Sequence, residues 1–541
     1  MSRDPKSIIV SNISLPINAS EREAFSLASR RLSAVGISAR GADFSIYRRS
    51  VDARRRDDIH FVYSVLLSGD FGEVSPSLLS RGIAELHSED PTAKIGDTPL
   101  EAPPVVVGSG PAGLFAALML AREGYRPLLI ERGGSVAERR EKIAQLHRER
   151  ILDENTNIQF GAGGAGTFSD GKLVTRINDP VSSFVLKTFV SHGAPSEILY
   201  LAKPHIGTDI LSAVVESMLA EITRLGGRVM MNTTLKDVKT ARDGHIGAIV
   251  TDKGEFAAGA VILAVGHSAR DTYEMLMSRG MNIEAKDFSV GLRIEHPTEV
   301  IDRGMYGSFA GDLRLSHAEY TLAHNTKGRG VYTFCMCPGG TVVSATSEQG
   351  GVVVNGMSEH ARDGKNSNSA VCCSVYKSDY GLTPTAAIEF QRKIERAAFI
   401  AAGSDYSAPI ITVGDFLNKN EARVLPSTVM PTYMDGAGVR LAAPEKYLPS
   451  FVTEGIRAAI SDFNRKIHGF AMSDAVLTGP ETRTSSPIRI VRDREYRLAT
   501  GYDNLYPAGE GAGYAGGITS AAIDGIRCAL SLMERFAPAG E

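Results

Sequence analysis

Residues 103–133 read PPVVVGSGPAGLFAALMLAREGYRPLLIERG. Val105–Val107 is a short β-branched run, read as a buried strand. Gly108, Gly110 and Gly113 follow as G-x-G-x-x-G, with Ser109, Pro111 and Ala112 between them. Leu114–Arg122 continues as a helix that Gly124 ends. Leu128–Ile130 is the next buried strand, closed by Glu131 and Arg132. Each residue type suits a dinucleotide turn: Gly108 for the tight bend, Gly110 for backbone approach to a pyrophosphate, Gly113 for close helix–strand packing. The pyrophosphate sits on the free N–H groups at the helix start, and Glu131 is placed to accept hydrogen bonds from an adenosine ribose. Gly161, Gly163 and Gly166 in NIQFGAGGAGTFSDGKL repeat the spacing. No apolar strand precedes them and no helix ending in an acid follows, so this stretch reads as a Gly-rich loop and the chain carries one dinucleotide fold.

Two later stretches decide which dinucleotide. After a helix at Leu211–Leu225, residues 226–271 read as strands at Val229–Thr234, Val238–Ala241, Ile246–Thr251 and Glu255–Ala257. A buried strand Ala260–Ala264 then ends at Gly266. A β insertion leading into such a strand resembles FAD-containing reductases of the glutathione-reductase type. NLYPAGEGAGYAGGITSAAIDGIRCALSLM, residues 504–533, gives strand, Gly-rich turn and helix. The resemblance puts Glu510 on the flavin ribityl chain. Gly516, Gly517 and Ile518 then open a helix whose dipole faces the flavin ring. Gly164 and Ser169 in the Gly-rich loop, with Val238 in the insertion, complete the expected FAD contacts.

The strings QFGAGGAGTFSDGKL, HIGTDIL, GHSARD, GLRIEHP, GVYTFCMCPGG, NGMS, ETRTSSPIRI and YPAGEGAGYAGGI together resemble one bacterial and plastid family of uncharacterised FAD-dependent dehydrogenases. The resemblance runs from about residue 8 to about residue 530 and includes RRSVDAR. It implies FAD and a three-part architecture, with no substrate. The chain departs from the pattern at Ala162, where an acid is expected.

Three parts follow. Residues 1–98 read as β-α-β-β-α, with strands at Ile8–Ile13, Phe44–Val51 and Ile59–Ser68 and helices at Ala19–Val35 and Pro76–His87, a ferredoxin-like α+β unit. Residues 99–287 and 481–541 form a discontinuous Rossmann-like α/β FAD-binding domain. Residues 288–480 form a β-rich substrate or cap domain, with helices at Pro384–Ala401 and residues 450–470. Arg48, Arg49, Arg54, Arg55 and Arg56 make a basic cluster in the first unit. Acids and bases are equal in number over residues 1–100, so a solvated face or a protein-docking surface is expected before nucleic acid.

The flavin carries the difficult chemistry. Asp170 and Lys172 are candidates for its neighbourhood, or simply pair to brace a loop. His267, after the Gly266 turn, is a candidate acid–base group, as are His205 and His296. Arg483 could hold a substrate carboxylate or a structural salt bridge. Cys335 and Cys337 form C-x-C, read as small core residues with a redox pair as the alternative.

Composition sets outer limits. Among 541 residues the formal net charge is −3, which gives no global field for nucleic acid or an anionic membrane. Gly is about a tenth of the chain against a usual value near 7%. The N-terminus has no basic-then-apolar leader, and the longest apolar run, Leu114–Ala121, stops at Arg122. Five cysteines argue against a disulfide scaffold, so a cytoplasmic protein is expected. No metal-ligand set, P-loop, G-x-S-x-G or H-E-x-x-H occurs. The reading is an FAD-dependent oxidoreductase acting on a small organic substrate, with NAD(P)H binding at most transiently. Flavin monooxygenation, or a flavin-sensing adaptor whose N-terminal unit binds RNA or protein, are the alternatives.

Overall fold

A computed structural model describes residues 6–71, 75–86, 90–175, 179–242 and 244–540. The first unit is an antiparallel sheet in the order Asp43–Asp52, His60–Gly69, Lys6–Pro16, Ile83–Glu85. In His60–Gly69, alternate residues Phe61, Tyr63, Val65 and Leu67 are buried. Helix Glu21–Ser33 turns Ala24, Ala28 and Leu32 inward at four-residue spacing. Its start is held by the Ser20 amide donating to Glu23 Oε1 at 2.9 Å.

The helix expected over Pro76–His87 is not there. Pro76–Arg81 is a single 3₁₀ stretch, Gly82 turns left-handed at φ 73°, and Ile83–Glu85 pairs with Ile8–Val10 as an edge strand. His87 lies outside the described residues. Tertiary pairing overrides the helix because Ile83 is buried there.

The basic cluster is largely spent within the molecule. The Arg49 amide donates to Tyr200 O at 2.7 Å, its carbonyl accepts from the Ala202 amide at 2.9 Å, and its guanidinium stacks on Phe61 and Tyr200. Arg54 pairs with Asp52, Arg55 with Asp57, and Arg56 donates to Lys466 O.

A five-stranded parallel sheet follows, in the order Leu505–Pro507, Val261–Leu263, Val105–Val107, Leu128–Ile130, Arg228–Met230. Its strands are short apolar runs because both faces are covered. Val106, Leu129, Ile262 and Tyr506 pack under helices Pro111–Arg122, Thr208–Arg224 and Ile518–Arg535. Val105, Val107, Leu128, Ile130, Val261 and Leu263 face the other way. There they meet the three-stranded antiparallel sheet of 235–240, 246–251 and 254–257 through Leu235, Val238, Ile246 and Ile249.

The third body is a seven-stranded sheet ordered Ala323–Thr326, Arg329–Cys337, Asn366–Val375, Phe288–Pro297, Val476–Glu481, Ala408–Thr412, Val439–Leu441. All pairings are antiparallel except the last. Helix Ser450–Lys466 buries Val452, Ile456, Ala459 and Phe463, in one core with Val331, Val371 and Cys373. Helix Pro384–Ala401 forms as expected. Among the described residues no helix is long and apolar enough to cross a membrane.

Candidate functional site

Ligands of open parallel sheets bind beyond the carboxyl ends of the strands, and the glycine turns converge there. Gly108 has φ 98°, and a Cβ on it would lie 2.3 Å from Ala264 O. A Cβ on Gly113 would lie 1.8 Å from Gly108 O. These two glycines are demanded by the protein's own packing. Gly110 is different: its backbone is extended (φ −63°, ψ 176°), and a Cβ would find only Gly164 Cα, 3.9 Å away. Gly266, Gly516 and Gly517, in the turns after the neighbouring strands, have nothing within 4 Å of that position. Helices Pro111–Arg122 and Ile518–Arg535 both begin on this side and pack together, so two sets of free N–H groups point one way.

The Gly-rich loop closes over both helix starts. A Cβ on Gly164 would meet Gly110 Cα at 2.8 Å, and one on Gly166 would meet Ile518 Cγ1 at 3.3 Å and Pro111 Cγ at 3.6 Å. Gly164–Phe168 forms only a 3₁₀ turn. The loop is held by Arg139, which is fully buried on helix Val136–Glu149. Its guanidinium donates to the carbonyls of Asn157 (3.0 Å), Ile158 (2.7 Å), Ala162 (2.6 Å) and Gly164 (2.9 Å), and stacks 4.5 Å from the Phe168 ring centre. Burial pulls its pKa down to about 9, against the nearby charge of Glu131. Sequence reading missed Arg139. In VAERREKIAQLHRE it looks like one more charge on a solvated helix face.

Glu131 is buried, and its carboxylate organises the turn. Oε2 accepts from the Ser109 amide and hydroxyl at 2.9 and 2.8 Å; Oε1 accepts from the Gly133 and Gly161 amides at 3.0 and 2.9 Å. Arg132 pairs with Asp271 and stacks on Phe160. Ser169 donates to Gly166 O at 2.7 Å. Val238 is buried in the antiparallel sheet opposite Ile249. Ala162 is also buried, and its carbonyl is one of the Arg139 acceptors.

Asp170 and Lys172 pair at 2.9 Å. Asp170 also accepts from Arg362 Nε at 3.1 Å and Nη2 at 2.6 Å, and from the Ser358 hydroxyl. Although burial opposes it, the charges of Lys172 and Arg362 hold the Asp170 carboxyl well below the usual range. Lys172 Nζ reaches across to the seven-stranded sheet, donating to Met336 O and lying 3.9 Å from Cys337 Sγ. His267 sits beside Ser268 and is held neutral, its pKa pushed down to about 3 by burial and by Arg483 and Arg270. His205 stacks on His360 and contacts its carbonyl, whereas buried His296 meets Phe470 O at 2.7 Å. Arg483 belongs to a buried cluster: with Arg270 it grips Glu395 at 3.0 and 2.8 Å. That is the structural salt bridge of the two roles open to it. Among the described residues no His/Cys/Asp/Glu group could hold a metal.

Residues 287–484 match the family described as "FAD-dependent protein, C-terminal domain-like". Residues 106–151 match an NAD(P)-binding Rossmann-like domain, and residues 7–68 a domain of unknown function. An uncharacterised protein of Clostridium beijerinckii is 45% identical over 503 residues, covering 91% of this chain and 92% of its own. The chain belongs to this family of FAD-dependent proteins. Protein FixC of Salmonella typhi is 27% identical over 208 residues, 37% of this chain and 44% of FixC. A geranylgeranyl bacteriochlorophyll reductase-like structure from Thermoplasma acidophilum matches 80% of this chain and 77% of its own at 12% identity and a TM-score of 0.33.

This flavoprotein is an FAD-dependent oxidoreductase, and its site suits the cofactor. Gly110, Gly266, Gly516 and Gly517 leave backbone bare beside open space at this end of the sheet. Half-buried Glu510 accepts no hydrogen bond on its carboxylate from the described residues, and burial lifts its pKa to about 7, against the pull of Lys286. An acid in that state suits a polyol hydroxyl.

Proposed function

We propose that the flavin lies along the carboxyl end of the parallel sheet and that the enzyme oxidises or reduces a small organic substrate held between that sheet and the seven-stranded one. NAD(P)H serves as a visiting reductant. The division into 1–98, 99–287 with 481–541, and 288–480 belongs to this reading. The antiparallel order of the first sheet supports a ferredoxin-like unit, and the three-stranded insertion supports a glutathione-reductase type of FAD domain. When bound, the flavin supplies hydride and electron transfer.

The chain's own residues do the rest. Gly108, Ser109, Gly110, Pro111, Ala112 and Gly113 present amides to the pyrophosphate, and Glu131 sets their orientation while sharing an oxygen with the ribose. Glu510 takes a ribityl hydroxyl, and the start of helix Ile518–Arg535 faces the developing negative charge. Lys172 keeps a positive charge at the inter-sheet face, and Asp170 positions it. His267, held neutral, offers one ring nitrogen as a hydrogen-bond donor and the other as an acceptor without taking a charge.

The observation that carries this reading is the row of bare glycine positions at one sheet end, closed by the loop that Arg139 holds. An anaerobic titration with NADPH and then NADH, following the visible flavin band, tests it. Bleaching by either nucleotide is expected. A band that stays oxidised removes the nicotinamide-fed half-reaction, and absence of flavin even after FAD is added removes the whole reading.

A further inference from the structure

Strand Arg329–Cys337 does not run straight. Its register with Asn366–Val375 slips by one residue after Phe334↔Ala370, so that Cys337 rather than Met336 faces Asn368. The extra residue is accommodated at Cys335, whose φ of 45° is left-handed. Such a conformation is strained for a non-glycine residue and persists where the surroundings over-determine it.

The bulge brings two thiols together between two cations. Cys337 is buried and Cys335 half-buried. Cys337 Sγ donates to Cys335 O at 3.4 Å. Lys172 Nζ stands 3.9 Å from Cys337 Sγ. Arg293 Nη1 stands 4.0 Å from the same sulfur and 3.0 Å from Cys335 O. Arg293 is itself gripped by Glu481 at 2.7 and 2.9 Å. Lys172 continues the loop whose Gly164 and Gly166 lie across the two helix starts, so the cluster stands on the ligand side of the parallel sheet.

We propose that Cys335 and Cys337 form a reversible dithiol–disulfide pair that exchanges two electrons with the flavin. On oxidation both S–H bonds break and one S–S bond forms. The electron pair and one proton pass to oxidised flavin, and the second proton leaves to solvent. Residues two apart in a strand have Cα atoms roughly 6.7 Å apart, which falls at the upper edge of the disulfide range. The neighbouring Cys337 thiol and the charges of Lys172 and Arg293 hold the Cys335 thiol well below its ordinary value, while the neighbouring Cys335 and burial push Cys337 up. One thiolate and one thiol is the state from which such pairs react. Cys373 and Cys528 contrast with it, since burial pushes them up to about 11 and about 12. Burial lifts Cys372 as well.

The proposal rests on the flavin reading only for its electron partner, so the test has two arms. In the first, the full chain is equilibrated in dithiothreitol redox buffers, alkylated with iodoacetamide at pH 7 and digested for mass spectrometry. Loss of two hydrogens in the 335–337 peptide, reversed by reductant, is expected, with Cys335 alkylating at least tenfold faster than Cys372, Cys373 or Cys528 in the reduced protein. No such loss, or equal slow alkylation of all five, overturns the pair. In the second, the FAD-loaded oxidised protein is titrated anaerobically with dithionite. Two electrons per flavin beyond the two that flavin takes are expected for the wild type, and none beyond those two for Cys337→Ser. Equal uptake by both overturns exchange with flavin even if the disulfide forms. If the protein binds no FAD, the flavin reading falls while the first arm still decides the pair.

Discussion

Replacing Arg139 by methionine keeps the length and apolar stem of a buried side chain but removes its five N–H donors. Four carbonyls of the Gly-rich loop, those of Asn157, Ile158, Ala162 and Gly164, then lose a charged partner. A hydrogen bond to a charged group is worth about 1.5–3 kcal/mol, so the gross loss is large. Relief of a buried guanidinium offsets much of it, and the depressed pKa of Arg139 says that its burial is not fully compensated. Each buried carbonyl left without a donor costs about 1–3 kcal/mol, so after that offset a net loss of about 3 kcal/mol is expected. The loop lies directly over Gly110 and the start of helix Ile518–Arg535, so opening it by about 3 kcal/mol raises the apparent FAD Kd by as much as about 100-fold. With no tryptophan in the chain, urea unfolding of the apoprotein is best followed by far-UV circular dichroism, and FAD affinity by flavin fluorescence. Arg140→Met, one residue along on the exposed face, is the control and leaves both unchanged. A destabilisation below about 1 kcal/mol for Arg139→Met, with an unaltered Kd, would refute the assignment of Arg139 as the latch of this loop.

The two kinds of turn glycine separate cleanly. Gly110→Ala folds with an unchanged apoprotein Tm and binds FAD at least tenfold more weakly, whereas Gly113→Ala, with its Cβ 1.8 Å from Gly108 O, fails to give folded protein by circular dichroism. Glu395→Ala leaves buried Arg270 and Arg483 with only Glu348 to share between them and destabilises by about 3 kcal/mol in urea titration. Glu510 has a raised pKa in the folded apoprotein, so between about pH 4.5 and about 7 the unfolded chain gives up a proton that the folded one keeps, and stability falls as pH rises through that window. Glu510→Gln removes that fall, and parallel pH profiles for the two apoproteins would count against a half-buried acid with no hydrogen-bond donor on its carboxylate. His267 is held neutral down to about pH 3, so its imidazole NMR resonances stay constant from pH 5 to 8. A midpoint near 6.5 would place it in water.

The local parts of this protein were written where they act. Val105–Val107, the three glycines, the helix they open and Leu128–Ile130 all fall within about thirty residues, and each step follows from chain stiffness, turn sterics or two-sided burial. The three-stranded insertion and the helix after the second Gly-rich turn were legible for the same reason. One misreading, the helix at Pro76–His87, came where a short apolar stretch had a strand partner about seventy-five residues earlier, at Ile8–Val10. Tertiary structure alone decided the remainder. Composition and spacing cannot say that Arg139 turns inward while Arg140 does not, or that Arg49 docks the first unit on Tyr200. Nor can they show that the 161–166 glycines lie across the helix starts of the first fingerprint. The C-x-C pair shows the limit most sharply. Regular alternation would place both thiols on one strand face as inert neighbours, and a one-residue bulge at Cys335 instead sets them between Lys172 and Arg293. Register depends on partners distant in the chain, and a slip of one residue changes which face and which charges a side chain meets.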